Sequence, residues 1–510
     1  MDPSSAHTAC DADVAVVGGG PSGAVVARLL ASWGHRVVVL ARDDDPARSL
    51  ANSLPPSTQK LLQQTGIADI VDRVGFRTTG NTVWWGDRDG HAESFSPDGT
   101  AWGYQVERSH LDPLLRASAE AAGAQVVRGA SVRNVRAEAD AVSVTYGVAG
   151  EERSCRARMV LDCSGRAGVV AVPHAMRRHV PGGRMQALVG VWSRDDRWLL
   201  ENSTHTFIET GDAGWAWSIP TSDTVRHIGL MVDGAASRLA RGESLDATYR
   251  AQLALLPRIN RQVGDARLVR AFACDASVYT ASRFDEGRVL LVGDAGATLN
   301  PLSSFGIKKA LASAWLAAVV AHTSLIHPER ADIASHFFSD WSSQVWHVNL
   351  KRSREFAAEA LVRHASAFWQ AQASADVDES QLPLDEAALL TAADVRAALE
   401  QLRARDTFVL SIAPGPTLVS APLVRGRVIA SEGAIALGTS PRDVVRYVRG
   451  IDLVALVGLA PSAREVPTLV EHYCARHGRV ALPDILGALA LLLARGVLAI
   501  DTPHASISPR

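Results

Sequence analysis

A glycine-rich turn set between a strand and a helix constrains this sequence more than any other feature. Residues 13–17 read DVAVV, a β-branched apolar run typical of a buried parallel strand, and GGGPSG follows at 18–23. Helical apolar periodicity comes next, and RVVVL at 36–40 supplies a second strand. These segments together predict a βαβ unit that opens with a GxGxxG turn.

The turn predicts a site for a pyrophosphate. Glycines allow a tight bend and a close approach of backbone to phosphate, and the helix N-terminus presents unpaired N–H groups at the positive end of its dipole. We therefore assign dinucleotide binding to the three motif glycines and to the two residues between the second and third of them: Gly18, Gly20, Pro21, Ser22 and Gly23.

The acidic residue that usually ends the second strand and holds the ribose hydroxyls is missing. Ala41 stands at that position, followed by Arg42 and then by Asp43, Asp44 and Asp45. Either Asp43 reaches back to the ribose, or the ribose is held more loosely with help from Arg42.

Two later segments end a buried strand in aspartate beside a glycine. They read VLDCSGR at 160–166 and VLLVGDAGATLNPL at 289–302. An aspartate placed in this way can accept a hydrogen bond from a ribose or ribityl hydroxyl, while the glycine lets the backbone lie against the cofactor.

These segments resemble the flavoprotein monooxygenases of the hydroxybenzoate hydroxylase type, together with the flavin-dependent halogenases. The late GD motif of that family is matched by Gly293 and Asp294, and its intermediate motif by Asp162, Gly165 and Arg166. The resemblance implies that the dinucleotide is FAD.

A third family motif, R-x-x-L/F-D, is matched by Arg108, Leu111 and Asp112, with Gln105 just ahead of it. The arginine of this motif lies near the flavin phosphates in the family, so the resemblance adds Arg108 and Gln105 to the cofactor residues. The motifs follow the family's order and fall between about residues 11 and 360.

A loop that runs into a long apolar helix follows the GD motif. In the family this helix points its N-terminus at the pyrimidine edge of the flavin, where its dipole would stabilise negative charge on the reduced ring. The resemblance implies that the loop faces the flavin through Pro301 and Ile307 and that the backbone of the segment between them is catalytic, namely Ser303, Ser304, Phe305 and Gly306. The two serines can also serve as helix caps.

The segment GWAWSIP at 214–220 resembles the WxWxIP box of the halogenase branch. Tryptophans two residues apart on a strand face the same side, so Trp215 and Trp217 can form one apolar wall, although a sheet core would show the same pattern. We place Trp85, Trp215, Trp217 and Pro220 in the substrate pocket.

One branch of the halogenases uses a lysine, within a KxGxxFxWG pattern, to meet hypohalous acid. Residues 78–86 read TTGNTVWWG here, which puts Thr78 where that lysine stands. A hydroxyl can neither form a haloamine nor protonate a hypohalite as an ammonium can. The departure favours oxygen transfer from a flavin C4a-hydroperoxide, for which the protein supplies orientation and a dry pocket.

The length of the chain and its composition shifts predict a divided architecture. An α/β FAD-binding body with a Rossmann-like fold extends over 1–370, interleaved with a substrate-binding sheet at about 75–105 and 175–275. A polar linker at 371–388 leads to a C-terminal α+β domain at 389–510, whose three short helices and flanking strands are similar to a winged helix. Its last helical stretch is almost uncharged, which favours binding of a polypeptide over DNA.

Composition excludes several partners. The formal net charge of -2 provides no field that would gather nucleic acid, and the apolar stretch at 482–500 carries Asp484 and Arg495, which a membrane span would have to bury in lipid. The five cysteines are scattered without a CxxC pair, so we expect neither a disulfide framework nor a metal site. With no signal-peptide pattern at the start, a cytoplasmic location is expected.

The chain also resembles the tryptophan-hydroxylating monooxygenases of quinohaemoprotein amine dehydrogenase (tryptophylquinone) maturation. The likeness lies in the flavin motifs, the SLPP and PLSS segments at 53–56 and 301–304, and the added terminal domain. It implies hydroxylation of a tryptophan side chain within a protein or peptide, with O2 as oxidant and NAD(P)H or a partner reductase as electron source. A small aromatic substrate, halogenation, reduction of isoprenoid chains and a non-catalytic FAD-binding subunit remain alternatives.

Overall fold

The structure is a computed structural model that divides into two compact units, Met1–Gln381 and Leu382–Arg510. Cys10 and Asp44 lie outside the residues that it describes. The described residues are 11–43, 45, 49–86, 90–234, 244–405, 407–414, 418–438 and 443–501.

The first unit alternates strands with helices. Its helices are α1 (Pro21–Ser32), α2 (Gln59–Thr65), α3 (Ala68–Val74), α4 (Arg108–Ala121), α5 (Leu245–Ala254), α6 (Pro257–Val263), α7 (Gly306–Ile326), α8 (Ala331–Arg363) and α9 (Ala367–Ala373). Its strands are β1 (Ala12–Val17), β2 (Val37–Ala41), β3 (Ala51–Leu54), β4 (Phe76–Thr78), β5 (Gly80–Trp84), β6 (His91–Ser94), β7 (Gly103–Glu107), β8 (Gln125–Arg128), β9 (Ser131–Ala137), β10 (Val142–Val148), β11 (Glu151–Asp162), β12 (Arg177–His179), β13 (Met185–Ser193), β14 (Thr206–Gly211), β15 (Gly214–Pro220), β16 (Val225–Asp233), β17 (Arg267–Asp275), β18 (Tyr279–Ala281), β19 (Asp285–Glu286) and β20 (Val289–Leu291).

The predicted βαβ unit forms and lies at the centre of an eight-stranded sheet. Strands β20, β11, β1, β2 and β8 run parallel in that spatial order, while β19, β10 and β9 add antiparallel pairs. The strand β1 is buried almost throughout, which explains its unbroken apolar sequence. Helices α4 and α7 pack against α1 beside this sheet. The prediction of an α/β fold with a Rossmann-like domain is confirmed.

A seven-stranded sheet is interleaved with this domain, as the sequence predicted. Its spatial order is β17, β13, β16, β15, β14, β5 and β6, so it draws on residues 80–94 and 185–275. The remaining strands of the predicted first stretch, β4 and β7, join β3 in a separate three-stranded sheet. One face of the large sheet packs on α5 and α6, where the indole N–H of Trp192 donates to the Tyr249 hydroxyl at 3.0 Å.

Helix α7 is, among the described residues, the one helix long and apolar enough to cross a membrane by length and composition, and 67% of its most apolar window is buried inside the structure. The bent pair of helices at 466–477 and 482–494 passes the same test only when joined. Helix α7 packs on α1 and α8, which is the behaviour of a core helix.

The second unit is an α+β domain with its own core. Its elements are α10 (Glu386–Leu390), α11 (Ala393–Arg403), β21 (Val409–Ile412), β22 (Leu418–Arg425), β23 (Val428–Ala436), β24 (Val444–Val445), β25 (Tyr447–Val448), β26 (Ile451–Asp452), α12 (Leu453–Leu459), α13 (Val466–His477), α14 (Leu482–Ala494) and β27 (Leu498–Asp501). The apolar helix α14 packs on α11 and α12 in the middle of this core. The sequence predicted a unit similar to a winged helix, in which a β-hairpin follows three helices. Here the hairpin β22–β23 comes before the helices α12, α13 and α14.

The predicted linker requires correction. The boundary between the units at Gln381 falls inside the predicted stretch 371–388, but α9 and α10 extend into that stretch from its two ends. Leu384 packs on the core of the second unit, so the stretch is divided between the two units instead of joining them as a polar tether.

Candidate active site

A cavity of about 910 Å³ opens where the parallel strands of the first unit end. Its walls come from the segments after β1, β2, β11 and β20 on one side and from the large sheet on the other. Ligands of open α/β sheets bind outside the carboxyl ends of the strands, and cofactor cavities commonly measure roughly 300–1,000 Å³. Position and size both fit a dinucleotide.

The glycine turn lies at the floor of this cavity as predicted. Gly18, Gly20, Pro21 and Ser22 line it, while Gly23 lies behind them and packs so closely on the Gly18 carbonyl that no side chain would fit. No side chain caps the start of α1 at Gly20. The N–H groups of the first turn of α1 are therefore available to a pyrophosphate.

Arg108 stands beside the turn. A Cβ atom on Gly20 would lie 3.2 Å from its Nη2, and the guanidinium donates to both carboxylate oxygens of buried Asp112, at 2.7 and 2.5 Å. This bidentate pair fixes the direction of the cation at the cavity wall. The geometry fits the predicted role of Arg108 near the cofactor phosphates.

The residues after β2 leave both ribose hypotheses in place. Arg42, Asp43 and Asp45 all line the cavity. Which of these side chains holds the ribose stays a prediction.

Asp162 differs from its predicted role. The residue is fully buried, and its carboxylate accepts from the backbone N–H groups of Ser164 at 3.0 Å and Val170 at 2.9 Å. Burial raises the pKa of Asp162. The carboxylate thus shapes the loop after β11 and does not line the cavity, whereas Gly165 and Arg166 of that loop do.

Asp294 of the GD motif lines the cavity and forms an ion pair with Lys309, a residue that was not predicted from the sequence. The Nζ atom of Lys309 lies 2.7 Å from Asp294 Oδ1 and also donates to the Ala297 carbonyl. The Lys309 side chain is 7% exposed and that of Asp294 39%. Burial acts to raise the pKa of Asp294, but the cationic neighbours, Lys309 first among them, outweigh it and hold that pKa below its usual value. Gly293 lies behind Asp294, where its N–H donates to Ser313.

Some of the residues that were predicted to face the flavin from the loop before α7 line the cavity. Pro301, Ser304, Gly306 and Ile307 line the cavity, as does Leu302. Ser303 and Phe305 do not, which corrects their assignment as flavin-facing residues.

Neither predicted serine cap forms at α7. The helix begins at Gly306 without a side-chain cap, and the Ser303 hydroxyl instead donates to the Asn300 carbonyl at 3.0 Å. Because Gly306 and Ile307 line the cavity, the uncapped N-terminus of a 21-residue helix borders the site. Its dipole would stabilise negative charge there.

Strand β15 provides the predicted tryptophan wall. Trp215, Trp217 and Ile219 alternate along the strand and line the cavity from one face of the sheet. The indole N–H of Trp215 is buried and has no hydrogen-bond partner among the described residues.

Trp85 and Pro220 are buried behind this wall, so their placement in the pocket is corrected. The indole of Trp85 packs edge-on against Trp215 with ring centroids 6.5 Å apart, and its N–H donates to the Phe356 carbonyl at 3.0 Å. Trp85 therefore supports the wall from behind.

Gln105 joins two walls of the cavity without lining it. Its Oε1 accepts from the Ser53 hydroxyl at 2.6 Å, and its Nε2 donates to the Thr206 hydroxyl at 2.9 Å. Ser53 and Thr206 both line the cavity, whereas Gln105 is 1% exposed. The amide therefore positions a strand of the small sheet against the large sheet.

Gln105→Leu is expected to lower the free energy of unfolding by about 2 kcal/mol, because two hydroxyls lose a buried partner. FAD affinity should change less than threefold. Urea unfolding of the apoprotein and an FAD titration check this. A large loss of FAD affinity at unchanged stability would show instead that the amide contacts the cofactor, as the sequence reading held.

The described cavity wall contains no lysine. The chain has four lysines, Lys60, Lys308, Lys309 and Lys351, and all lie within the described residues. Lys309 donates a hydrogen bond to Asp294, and Lys308 donates to the Ser57 hydroxyl at 2.8 Å. None of the four lysines lines the cavity. Thr78, which stands at the halogenase lysine position, is buried and does not line it either.

Fold and site together define a protein that binds FAD: a GxGxxG turn, the GD motif and an uncapped helix N-terminus converge on one cavity. The chain belongs to the FAD binding domain family, whose model matches residues 11–321. The proteins that it resembles include flavin-dependent halogenases and a peptidyl tryptophan dihydroxylase.

Relatives and solved structures agree with this assignment. The flavin-dependent halogenase armH4 of Armillaria mellea is 30% identical in an alignment of 352 residues, which covers 62% of this chain and 66% of the halogenase. The chain thus spans slightly less than two thirds of that relative's length.

Two solved structures share the fold over almost the whole chain. The flavin-dependent halogenase CmlS matches with a TM-score of 0.76 at 22% identity, over 97% of this chain and 96% of CmlS. The peptidyl tryptophan dihydroxylase QhpG, essential for tryptophylquinone cofactor biogenesis, matches with a TM-score of 0.66 at 19% identity, over 95% and 99%. At these identities the likeness shows the fold alone.

Proposed function

We propose that this chain is an FAD-dependent monooxygenase that hydroxylates an aromatic ring, with a tryptophan side chain held in a protein or peptide as its substrate. The observation that carries the proposal is the composition of the cavity wall. One end has the groups suited to FAD, the other has the indoles of Trp215 and Trp217, and no lysine lies between them. FAD, once reduced, would supply O2 activation: one oxygen atom enters the ring, the other leaves as water, and the two electrons come from the flavin.

The residues of the chain would position the substrate and exclude water. Trp217, Ile219 and Met231 form an apolar surface against which an aromatic ring can pack. The N-terminus of α7 would hold negative charge that develops nearby.

The peptide substrate has two supports. The fold of QhpG, whose substrate is a peptidyl tryptophan, extends over 95% of this chain, and the second unit is a separately cored domain. NAD(P)H or a partner reductase is proposed as the electron source.

Halogenation of an aromatic ring is the second candidate, because the relatives include the halogenase that is 30% identical. The two candidates differ in what they attach to the ring. The lysine-free wall argues against the variant of halogenation that passes the halogen through an amine.

The test supplies both chemistries at once. FAD-loaded protein is reduced, then mixed with O2 and bromide in the presence of either a tryptophan-containing peptide or free tryptophan. Mass spectrometry of the peptide should show a gain of oxygen on tryptophan and no bromine isotope pattern. Bromination would establish the second candidate, and oxygen on free tryptophan alone would exclude the peptide substrate. Unchanged substrates with consumption of O2 would overturn both candidates.

Gly229 should set the depth of the pocket. It pairs with Trp217 across β15 and β16, and a Cβ atom at Gly229 would overlap the Trp217 indole. Gly229→Ala is expected to push that indole toward the cavity and to raise KM for the aromatic substrate roughly tenfold, about 1.4 kcal/mol, at unchanged FAD affinity. Adding Trp217→Phe should recover much of the loss. If KM is unchanged in Gly229→Ala, the substrate does not bind against the Trp217 indole.

A further inference from the structure

The short helix α9 contacts the back of the tryptophan wall. Trp369 on this helix is 1% exposed, and its indole packs edge-on against Trp85 with ring centroids 5.5 Å apart. Trp85 in turn packs against Trp215, a residue of the wall. Edge-on aromatic pairs stabilise their arrangement beyond the area that they bury. The ring of Trp369 therefore supports the position of Trp215 through Trp85.

Trp369 also holds the turn from which the wall begins. Its Nε1 atom donates to the Gly211 carbonyl at 2.9 Å. Gly211 pairs with Gly214 at the turn between β14 and β15, and Trp215 is the next residue along the chain. Because a hydrogen bond depends on direction as well as on distance, this contact fixes the start of β15 relative to α9.

The last turn of α9 contacts another part of the cavity wall. The side-chain amide of Asn300 donates to Gln372 Oε1 at 3.2 Å, and Asn300 Oδ1 accepts from the Leu302 N–H at 3.1 Å. Residues 298–302 all line the large cavity and lead into the loop before α7. Gln372 therefore holds the segment that precedes the helix N-terminus at the cofactor site.

The two contacts are made by one side of a firmly packed helix. Trp369 and Gln372 are three residues apart, a spacing that puts side chains on the same side of a helix. The Ser366 hydroxyl caps α9 by accepting from the Trp369 N–H. The helix also packs so closely on Gly182 that a Cβ atom there would lie 2.7 Å from Ala371 Cβ. A shift of one contact should therefore be passed on to the other.

We propose that α9 couples the tryptophan wall to residues 298–302, with Trp369 and Gln372 as positioning residues that fix the distance between the aromatic substrate and the flavin. The proposal deepens the proposed function and rests on it for the place of the substrate. Oxygen transfer requires the reacting atoms to be in near contact, and a misplacement of about 1 Å can cost roughly 100-fold in rate.

Hydrogen exchange of the apoprotein tests the coupling without substrate or turnover. Gln372→Leu removes the acceptor for Asn300 and should speed amide exchange at the turn formed by residues 211–214. Trp369→Phe keeps a ring but removes the indole N–H, and it should speed exchange at residues 298–302. Each acceleration should be roughly threefold or more, since one buried hydrogen bond is lost. Each substitution is thus read out at the contact that it does not touch.

Gln370→Leu is the matched control. Gln370 is exposed on the same helix, where its amide donates to the Ser374 hydroxyl at 3.1 Å, so exchange at both segments should stay as in the native chain. The turn should stay folded in Trp369→Phe, because His364 Nδ1 also contacts Asp212 Oδ1 at 2.7 Å. Accelerations confined to the substituted contact, or equal accelerations in Gln370→Leu, would overturn the proposal.

A second measurement uses the FAD-loaded enzyme with substrate. Trp369→Phe and Gln372→Leu should each lower the share of consumed O2 that ends in hydroxylated product roughly tenfold, with FAD affinity within threefold of the native value. The double variant should lose no more than either single variant, because each substitution breaks the same connection. Additive losses would mean two independent structural effects and would contradict the coupling. If the native chain hydroxylates nothing, the proposed function fails, and the exchange measurement still decides whether α9 couples the two segments.

Discussion

Gly18→Ala is expected to abolish FAD binding and to destabilise the protein far more than Gly34→Ala, although both glycines have left-handed backbones in the same βαβ unit. Their φ angles are +104° and +91°. An alanine at either position pays the same conformational cost, about 1 kcal/mol. At Gly18 the new Cβ atom would overlap the backbone carbonyl of Cys163, the residue directly after β11. At Gly34 no atom lies within 4 Å of the position that a Cβ atom would take.

The overlap at Gly18 cannot relax cheaply, because β1 and β11 are hydrogen-bonded neighbours at the centre of the sheet. Separating them should cost about 3 kcal/mol beyond the backbone term. The difference between the two variants in urea unfolding therefore measures the close packing of turn against strand. Equal destabilisation of the two variants would mean that the turn can move away and that its rigidity is unimportant.

A further variant keeps the prediction informative if Gly18→Ala does not fold. Gly20 has an ordinary φ of -74°, and a Cβ atom there would approach only the Arg108 guanidinium, at 3.2 Å. Gly20→Ala should therefore fold as the native chain does, yet bind FAD roughly tenfold more weakly, because the methyl group narrows the approach of the pyrophosphate. If Gly20→Ala binds FAD as tightly as the native chain does, the pyrophosphate does not lie against Gly20.

The parts of the molecule that follow local rules could be predicted from the sequence. The βαβ unit depends on a β-branched strand, a glycine turn and helical periodicity that are contiguous, and the structure has all three where they were expected. The pairing of Trp215 with Trp217 in one wall follows from the two-residue period of a strand. The FAD cofactor followed from the order of the family motifs.

The errors concern where side chains end up after distant segments pack. Gln105 and Asp162 lie beside the cofactor motifs in sequence, but burial turns one into a link between two sheets and the other into an acceptor for backbone N–H groups. Trp85 is separated from the cavity by Trp215, a relation that depends on how the segment after β5 packs on α8. Hydrophobic period alone does not specify which layer of a core a residue occupies.

Lys309, which pairs with Asp294 at the cofactor cavity, is the site residue that was hardest to predict from the sequence. It lies in the first turn of α7 next to Lys308, and nothing in the sequence distinguishes the two. The structure separates them, because Lys309 is buried against Asp294 whereas Lys308 contacts the Ser57 hydroxyl near the surface. A signal would have been a lysine inside an otherwise apolar helix, since burial of an ammonium requires a partner.

Lys309→Met is expected to weaken both the fold and the reduced state of the flavin. It leaves the Asp294 carboxylate beside the cofactor site without its ammonium. Breaking a fully buried pair costs about 3–5 kcal/mol, and since Asp294 is open to the cavity we expect a loss of about 2 kcal/mol in the free energy of unfolding. The unbalanced negative charge should also lower the reduction potential of bound FAD, because reduction adds negative charge to the ring.

The dependence on pH follows from the pKa of Asp294, which is depressed in the folded protein. A depressed carboxyl pKa contributes stability above the unfolded value of about 3.8, and that stability is lost as the pH falls through the folded value. The stability difference between native chain and Lys309→Met should therefore be full at neutral pH and shrink toward acid, where the carboxyl group is protonated.

Lys308→Met serves as the control, since it removes the same charge from the same helix turn without touching Asp294, and it should change neither stability nor potential appreciably. In the apoprotein, Lys309→Met combined with Asp294→Asn should recover much of the lost stability, because the uncompensated charge is gone. If Lys308→Met and Lys309→Met shift the FAD potential equally, the effect belongs to the net charge of the helix. A shift confined to Lys309→Met would assign it to the ion pair that holds Asp294 at the cofactor.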